Sequence, residues 1–163
     1  MSDFITQKAE LLEFIGRLNS KYELSKNVDE FYFEPGMMEN LDQYLGKYDE
    51  QSNVAVLRTE LKGLRYENRT VNLDDISVGD TVKIIREQSN IYNSNNFTVV
   101  TLKNKSLGNL PAELCNSIAP LYDSGHAVIE SPLVTYIEKI SQRSRYAKQG
   151  VLFIEFKIKF RGI

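Results

Sequence analysis

At 163 residues, 42% hydrophobic and 26% charged, the chain has room for one well-packed core and not for two comfortable ones. It holds no apolar run of about eighteen residues, which excludes a transmembrane helix, and Met1-Ser2-Asp3-Phe4 opens without the basic stretch and apolar run of a signal peptide. A net charge of −2 points to no polyanionic partner by itself, and a lone cysteine, Cys115, rules out an internal disulfide and fits a reducing, cytoplasmic setting.

The first region reads as helical and acidic. From Phe4 to Tyr22, apolar residues including Leu11, Leu12, Ile15 and Leu18 recur at three- and four-residue intervals, the pattern of an amphipathic helix. Ser2 or Asp3 supplies an N-cap. A second short helix is expected from Met37 to Tyr48, after the Pro35-Gly36 breaker, and residues 49–53 read as a linker. Residues 1–60 carry 12 acidic and 6 basic side chains, so residues 1–52 form an acidic helical extension. It has no catalytic motif and suits packing on the remainder or recruiting another protein.

Beyond Val54 the pattern changes to short strands. Strands are expected at Val54–Leu57, Leu61–Arg69, Thr81–Glu87 and Phe97–Leu102, with Ser77–Asp80 as a turn and Gln88–Asn96 as a polar loop. A tight turn at Lys103–Lys105 leads to a short strand at Ser106–Gly108. Pro111 starts a helix that runs to about Asp123, buries Leu114, Cys115, Ile118, Ala119, Leu121 and Tyr122, and stops at Ser124-Gly125. Ala127–Ile140 and Val151–Phe160 are long strands, the last alternating Phe156, Ile158 and Phe160 with Lys157, Lys159 and Arg161. The fold class is therefore mainly β with helices (α+β), with residues 54–163 forming a small barrel around one inserted helix.

Several chemistries have no residues to perform them. With one histidine, His126, and one cysteine, a Cys/His zinc site cannot be built within the chain, and a nucleophilic triad would have to use a histidine set in a turn. No phosphate-cradling glycine loop or dinucleotide fingerprint occurs. Asp74-Asp75 lacks a third acid nearby. Neither an enzyme nor a cofactor or metal is expected.

The positive signals lie in residues 63–126. Gly63-Leu64-Arg65-Tyr66 precedes Val82–Glu87 and then Ser89-Asn90-Ile91-Tyr92-Asn93-Ser94-Asn95-Asn96-Phe97-Thr98-Val99. Leu107-Gly108-Asn109-Leu110-Pro111 leads into a helix bearing Ile118-Ala119-Pro120-Leu121 and Asp123-Ser124-Gly125. In that order these segments resemble the HIRAN domain over roughly residues 61–137. The resemblance implies a modified OB-like barrel that captures the 3′ end of single-stranded DNA, as found beside fork-remodelling translocases and in small stand-alone bacterial proteins. It implies a strand-binding pocket made by Arg65, Tyr66, Asn90, Tyr92, Asn93 and Asn109. The chain departs from the family pattern at Asn93, where aspartate is usual, at Asn96, where alanine is usual, and at Asn109, where a histidine stands in one member.

The residues themselves lead to a compatible place. Single strands are held by aromatic faces that stack on bases, flanked by cations that meet phosphates. Tyr66 beside Arg65, with Tyr92 among asparagines and serines, supplies both, and the basic bias of residues 61–163, 14 basic to 10 acidic, favours encounter with phosphates. The expected function is a non-catalytic nucleic-acid binding module, with single-stranded DNA as partner, in DNA repair or fork processing. The alternative is an interaction adaptor whose acidic arm, residues 1–52, recruits a DNA-processing protein.

Overall fold

The computed structural model describes residues 45–49, 51–52, 54–143 and 145–161, with backbone alone for 45–49. The helix expected over Phe4–Tyr22, and most of the one expected over Met37–Tyr48, lie outside the described residues.

The end of the second expected helix is a strand instead. Leu45–Asp49 forms β1 and pairs antiparallel with β2, Val54–Glu60, through Tyr48↔Ala55 and Asp49↔Val54. What reads as a linker is therefore the connection of a hairpin. β2 alternates buried Ala55, Leu57 and Thr59 with more exposed neighbours, the period of a strand with one covered face.

The strand expected over Leu61–Arg69 does not form. Beyond Leu61 the next buried apolar side chain is Leu64, a spacing of three that no strand face can accommodate. The chain turns at Gly63 and enters a one-turn helix α1, Arg69–Asn72, continued by a 3₁₀ turn, Leu73–Asp75. Three strands follow: β3 (Lys83–Arg86), β4 (Phe97–Val100) and β5 (Ser106–Asn109). Helix α2 spans Ala112–Asp123, then come β6 (Ala127–Glu138), a 3₁₀ turn (Ile140–Gln142) and β7 (Val151–Phe160). Strand ends apart, these match the sequence reading. Cys115 is buried on the apolar face of α2, with Leu114, Ile118, Ala119 and Leu121, whereas Tyr122, expected to be buried with them, is exposed near the end of the helix.

The strands make two sheets, ordered β1-β2-β7-β6 and β3-β4-β5. The architecture is thus mainly β with few helices. The ladders do not close into one barrel; beyond them stand two single bridges, Lys62↔Asn109 and Thr81↔Leu133. The described residues divide into two compact units, one with Val54–Leu57, Glu113–Glu130 and Lys157–Arg161, the other with Arg58–Ala112 and most of Ser131–Phe156. In the first, Ala55, Leu57, Leu114, Ile118, Ile158 and Phe160 are buried. In the second, all four residues of β4 are buried, as expected of a central strand covered on both faces, together with Leu61, Leu64, Leu73, Leu152, Ile154 and Phe156. Among the described residues, no helix is long and apolar enough to cross a membrane.

Candidate functional site

Two irregular segments of the second unit, residues 61–68 and 87–96, carry the side chains of interest. Gly63 sits at φ +75°, and its carbonyl accepts from the Tyr66 N–H at 3.2 Å and from Arg69 Nη1 at 3.1 Å. A Cβ at this position would stand 2.8 Å from Arg69 Nη1, so backbone conformation and space both call for glycine. Glu67 and Asn68 follow in the left-handed region, and Tyr66, at the apex, is 54% exposed. The Arg65 guanidinium lies 4.9 Å from the Tyr66 ring centre, while its Nη2 donates to Tyr66 Oη at 2.6 Å.

The second segment is held by its own carboxamides. Asn90 Oδ1 accepts from the N–H groups of Tyr92 at 2.9 Å and Asn93 at 3.0 Å, an Asx-type turn. Its Nδ2 donates to Glu87 Oε1 at 2.6 Å. Asn93 Oδ1 accepts from the Asn95 N–H at 3.0 Å. Arg86 reaches across the loop, donating from Nη1 to the carbonyls of Ser94 at 2.6 Å and Asn96 at 3.2 Å. The result is a firmly organised loop with Tyr92 at its tip, 90% exposed.

The two segments meet at a cleft of about 670 Å³. Of the six residues expected to form a pocket, Tyr66, Asn90, Tyr92 and Asn109 line it. Arg65 and Asn93 do not: Arg65 is drawn onto its tyrosine neighbour and Asn93 faces its own loop. Asn109 reaches the cleft because its backbone exchanges two 2.9 Å hydrogen bonds with Lys62.

Four charged residues of the lining, Lys62, Glu67, Arg69 and Glu87, are not among the expected site residues. Arg69 has a side chain only 7% exposed, and its Nη2 pairs with Glu67 Oε2 at 2.9 Å. It also donates from Nε to Ser106 Oγ at 2.8 Å and from Nη2 to Asn109 Oδ1 at 3.3 Å. An arginine at the end of an expected strand reads as surface charge, and no local pattern reveals that its acceptors stand 37 and 40 residues onward. Glu87, whose Oε1 also accepts from Asn96 Nδ2 at 3.4 Å, and Glu67 place two carboxylates opposite the two cations Lys62 and Arg69. The cleft is therefore not a cationic trough. Aromatic faces and amide edges dominate what it offers a ligand, and such groups suit flat, hydrogen-bonding molecules.

This is a mainly β module with a surface cleft built from a turn and a loop. The chain belongs to the HIRAN domain family, which residues 54–151 match. It is similar in fold to a crystal structure of a protein from Lactobacillus plantarum, with 23% identity and a TM-score of 0.50, covering 65% of this chain and 98% of that one. The crystal structure of the HIRAN domain of human HLTF is 23% identical, with a TM-score of 0.46 over 64% of this chain and 76% of that one. The NMR structure of the HLTF HIRAN domain in its DNA-bound conformation is 23% identical, with a TM-score of 0.39 over 63% and 74%. Among curated proteins, none matches.

Proposed function

We propose that the protein is a non-catalytic nucleic-acid binding module that grips single-stranded DNA at or near its 3′ end, in the setting of DNA repair or fork processing. One observation carries the reading: Tyr66 and Tyr92, far apart in sequence and both well exposed, open onto one cleft beside Lys62 and Arg69. Two stacking faces at about 1–3 kcal/mol per base would outweigh what so balanced a set of charges contributes. Membership of the HIRAN family, in which the HLTF domain has a DNA-bound form, makes DNA the ligand class to test first. In this reading an OB-like barrel, closed through the two single bridges, presents the cleft.

The grip on a 3′ end needs an acceptor for the terminal hydroxyl. Asn93 is turned to its own loop, so the carboxylate of Glu87 takes that part. The test is fluorescence anisotropy with matched single-stranded oligonucleotides ending in a 3′-hydroxyl or a 3′-phosphate, across a salt series. The hydroxyl form is expected to bind more tightly, because a terminal phosphate meets Glu87 as a like charge. No binding at low salt, or parent-like binding by both Tyr66→Ala and Tyr92→Ala, would overturn the proposal. Equal affinity for the two ends would remove the 3′-end grip and leave strand binding.

A further inference from the structure

We infer that the sheet face shared by β2, β7 and β6 carries a second binding site, for a small aromatic carboxylate with a polar group at its far end. The site goes beyond the strand-binding reading and shares no residue with the Tyr66–Tyr92 cleft. A cleft of about 420 Å³ lies there, lined by Arg58, Thr135, Tyr136 and Phe153, all in the second compact unit. Small-molecule sites span about 300–1,000 Å³, so the space suits such a ligand.

The first ground is an unspent cation. Arg58 is exposed in the middle of β2, between buried Leu57 and Thr59. β2 lies between β1 and β7, so the side chain stands on a sheet face and not at an edge. Among the described residues no hydrogen bond, ion pair or ring contact engages its guanidinium, and no acid lines the cleft. A guanidinium left over by the fold presents a planar fork that meets a carboxylate through two hydrogen bonds.

The second ground is a prepared pair of rings. The Tyr136 and Phe153 ring centres are 5.8 Å apart, with their planes at 84°. Tyr136 Oη donates to Glu138 Oε2 at 2.8 Å, and the other oxygen of Glu138 faces Arg143 Nε at 3.4 Å. That hydroxyl and that carboxylate are matched within the fold, so the rings offer the cleft their apolar surface. Neighbouring strands lie about 4.8 Å apart, which sets β2 and β6, with β7 between them, roughly 10 Å apart. A two-ring aromatic acid spans that distance, its carboxylate toward Arg58 and its far end toward β6.

The third ground stands at that far end. Thr135 Oγ1, on β6, is the one buried side-chain polar atom without a hydrogen-bond partner among the described residues. Buried hydroxyls are almost always paired. A rotation of about 120° about χ1 exchanges hydroxyl and methyl, which lets this hydroxyl turn to an acceptor entering the cleft.

The experiment is an NMR titration of the full chain with 6-hydroxy-2-naphthoate, 2-naphthoate and 6-hydroxy-2-naphthamide. Signals of Arg58, Tyr136 and Phe153 are expected to move saturably, and those of Tyr66 and Tyr92 to stay. The carboxylate should bind about tenfold or more tightly than the amide, and Arg58→Gln should abolish that difference. The 6-hydroxyl should add about fivefold, and Thr135→Val, which keeps the shape of the side chain, should abolish that gain alone. Because each comparison is between two ligands on one variant, a general loss of fold cannot imitate it. No saturable shift at millimolar naphthoate, shifts centred on Tyr66 and Tyr92, or a carboxylate preference that survives Arg58→Gln would overturn the inference.

Discussion

Asn96 donates from Nδ2 to Oδ1 of Asn109 at 3.3 Å. These are two of the positions at which the chain departs from the pattern of its family, alanine being usual at the first and a histidine standing at the second in one member. Asn96 is 6% exposed, so its amide needs partners inside the fold, and Asn109 together with Glu87 provides them. The two departures thus meet in one hydrogen bond. Asn96→Ala and Asn109→His, made singly and together, are expected to show a coupling of about 0.5–3 kcal/mol by urea unfolding. Strict additivity would mean that the bond contributes nothing to stability.

Arg69 is the buried post on which the turn and β5 both hang. Replacing it with methionine fills much of the volume but takes the Nε donor from Ser106 Oγ and leaves the Gly63 carbonyl and Asn109 Oδ1 with one donor each, from Tyr66 N–H and Asn96 Nδ2. With a hydrogen bond to a charged group contributing about 1.5–3 kcal/mol, the loss of the guanidinium in Arg69→Met should lower stability by at least about 1.5 kcal/mol. The readout is the urea midpoint at an unchanged slope. A midpoint like the parent's would show that water replaces the guanidinium without cost.

What was legible in the sequence follows the periodicities. β7 was readable to the residue because Phe156, Ile158 and Phe160 alternate with lysines, and α2 because its apolar face and Pro111 bound it. Arg65 and Tyr66 read as strand from their composition but lie on a turn, because Gly63 at positive φ and the left-handed Glu67 and Asn68 override it. Leu45–Asp49 shows the converse, a segment that reads as helix and becomes a strand by pairing with β2. The family motif points to six residues, of which Tyr66, Asn90, Tyr92 and Asn109 line the cleft and Arg65 and Asn93 do not. Arg69 and Glu87 were not recognised, since their positions come from hydrogen bonds between segments distant in sequence, which no local pattern records.

Tyr92 separates binding from stability. Its side chain is almost wholly exposed, so Tyr92→Ala should leave the unfolding free energy within about 0.5 kcal/mol of the parent. If a base stacks on it, the same variant should lose about 1–3 kcal/mol of affinity for single-stranded DNA, measured by anisotropy. A large fall in stability would instead make Tyr92 an anchor of the loop.

Lys105 donates to Asp75 Oδ2 at 2.8 Å, and that bond, reinforced by the lysine charge, holds the Asp75 carboxyl below its ordinary value. A carboxyl depressed in the folded state adds stability above its unfolded pKa and loses it as pH falls through the folded one. The pair is exposed, so the effect on stability is small and the direct readout is a carboxyl ¹³C titration. Lys105→Met should move the Asp75 midpoint upward. An unmoved midpoint would assign the depression to some other group.

Asn90→Asp tests whether the loop at the cleft is organised by one carboxamide. The aspartate keeps an acceptor for the N–H groups of Tyr92 and Asn93, so the turn itself survives. It loses the donor that meets Glu87 Oε1 at 2.6 Å and sets a second carboxylate there. Two carboxyls at that distance cannot both ionise freely, so one folded-state pKa rises above its unfolded value. Stability from such a group is present below the unfolded pKa and lost as pH rises through the folded one. The deficit of Asn90→Asp against the parent should therefore be small near about pH 4 and grow toward about pH 7, where both carboxyls are driven to ionise. Asn90→Ala, which lacks the acceptor as well as the donor, should instead show a deficit that changes little over the same range. Equal pH dependence in the two variants would mean that Glu87 swings away from position 90, and that the loop is held by Arg86 and its two carbonyl partners rather than by Asn90.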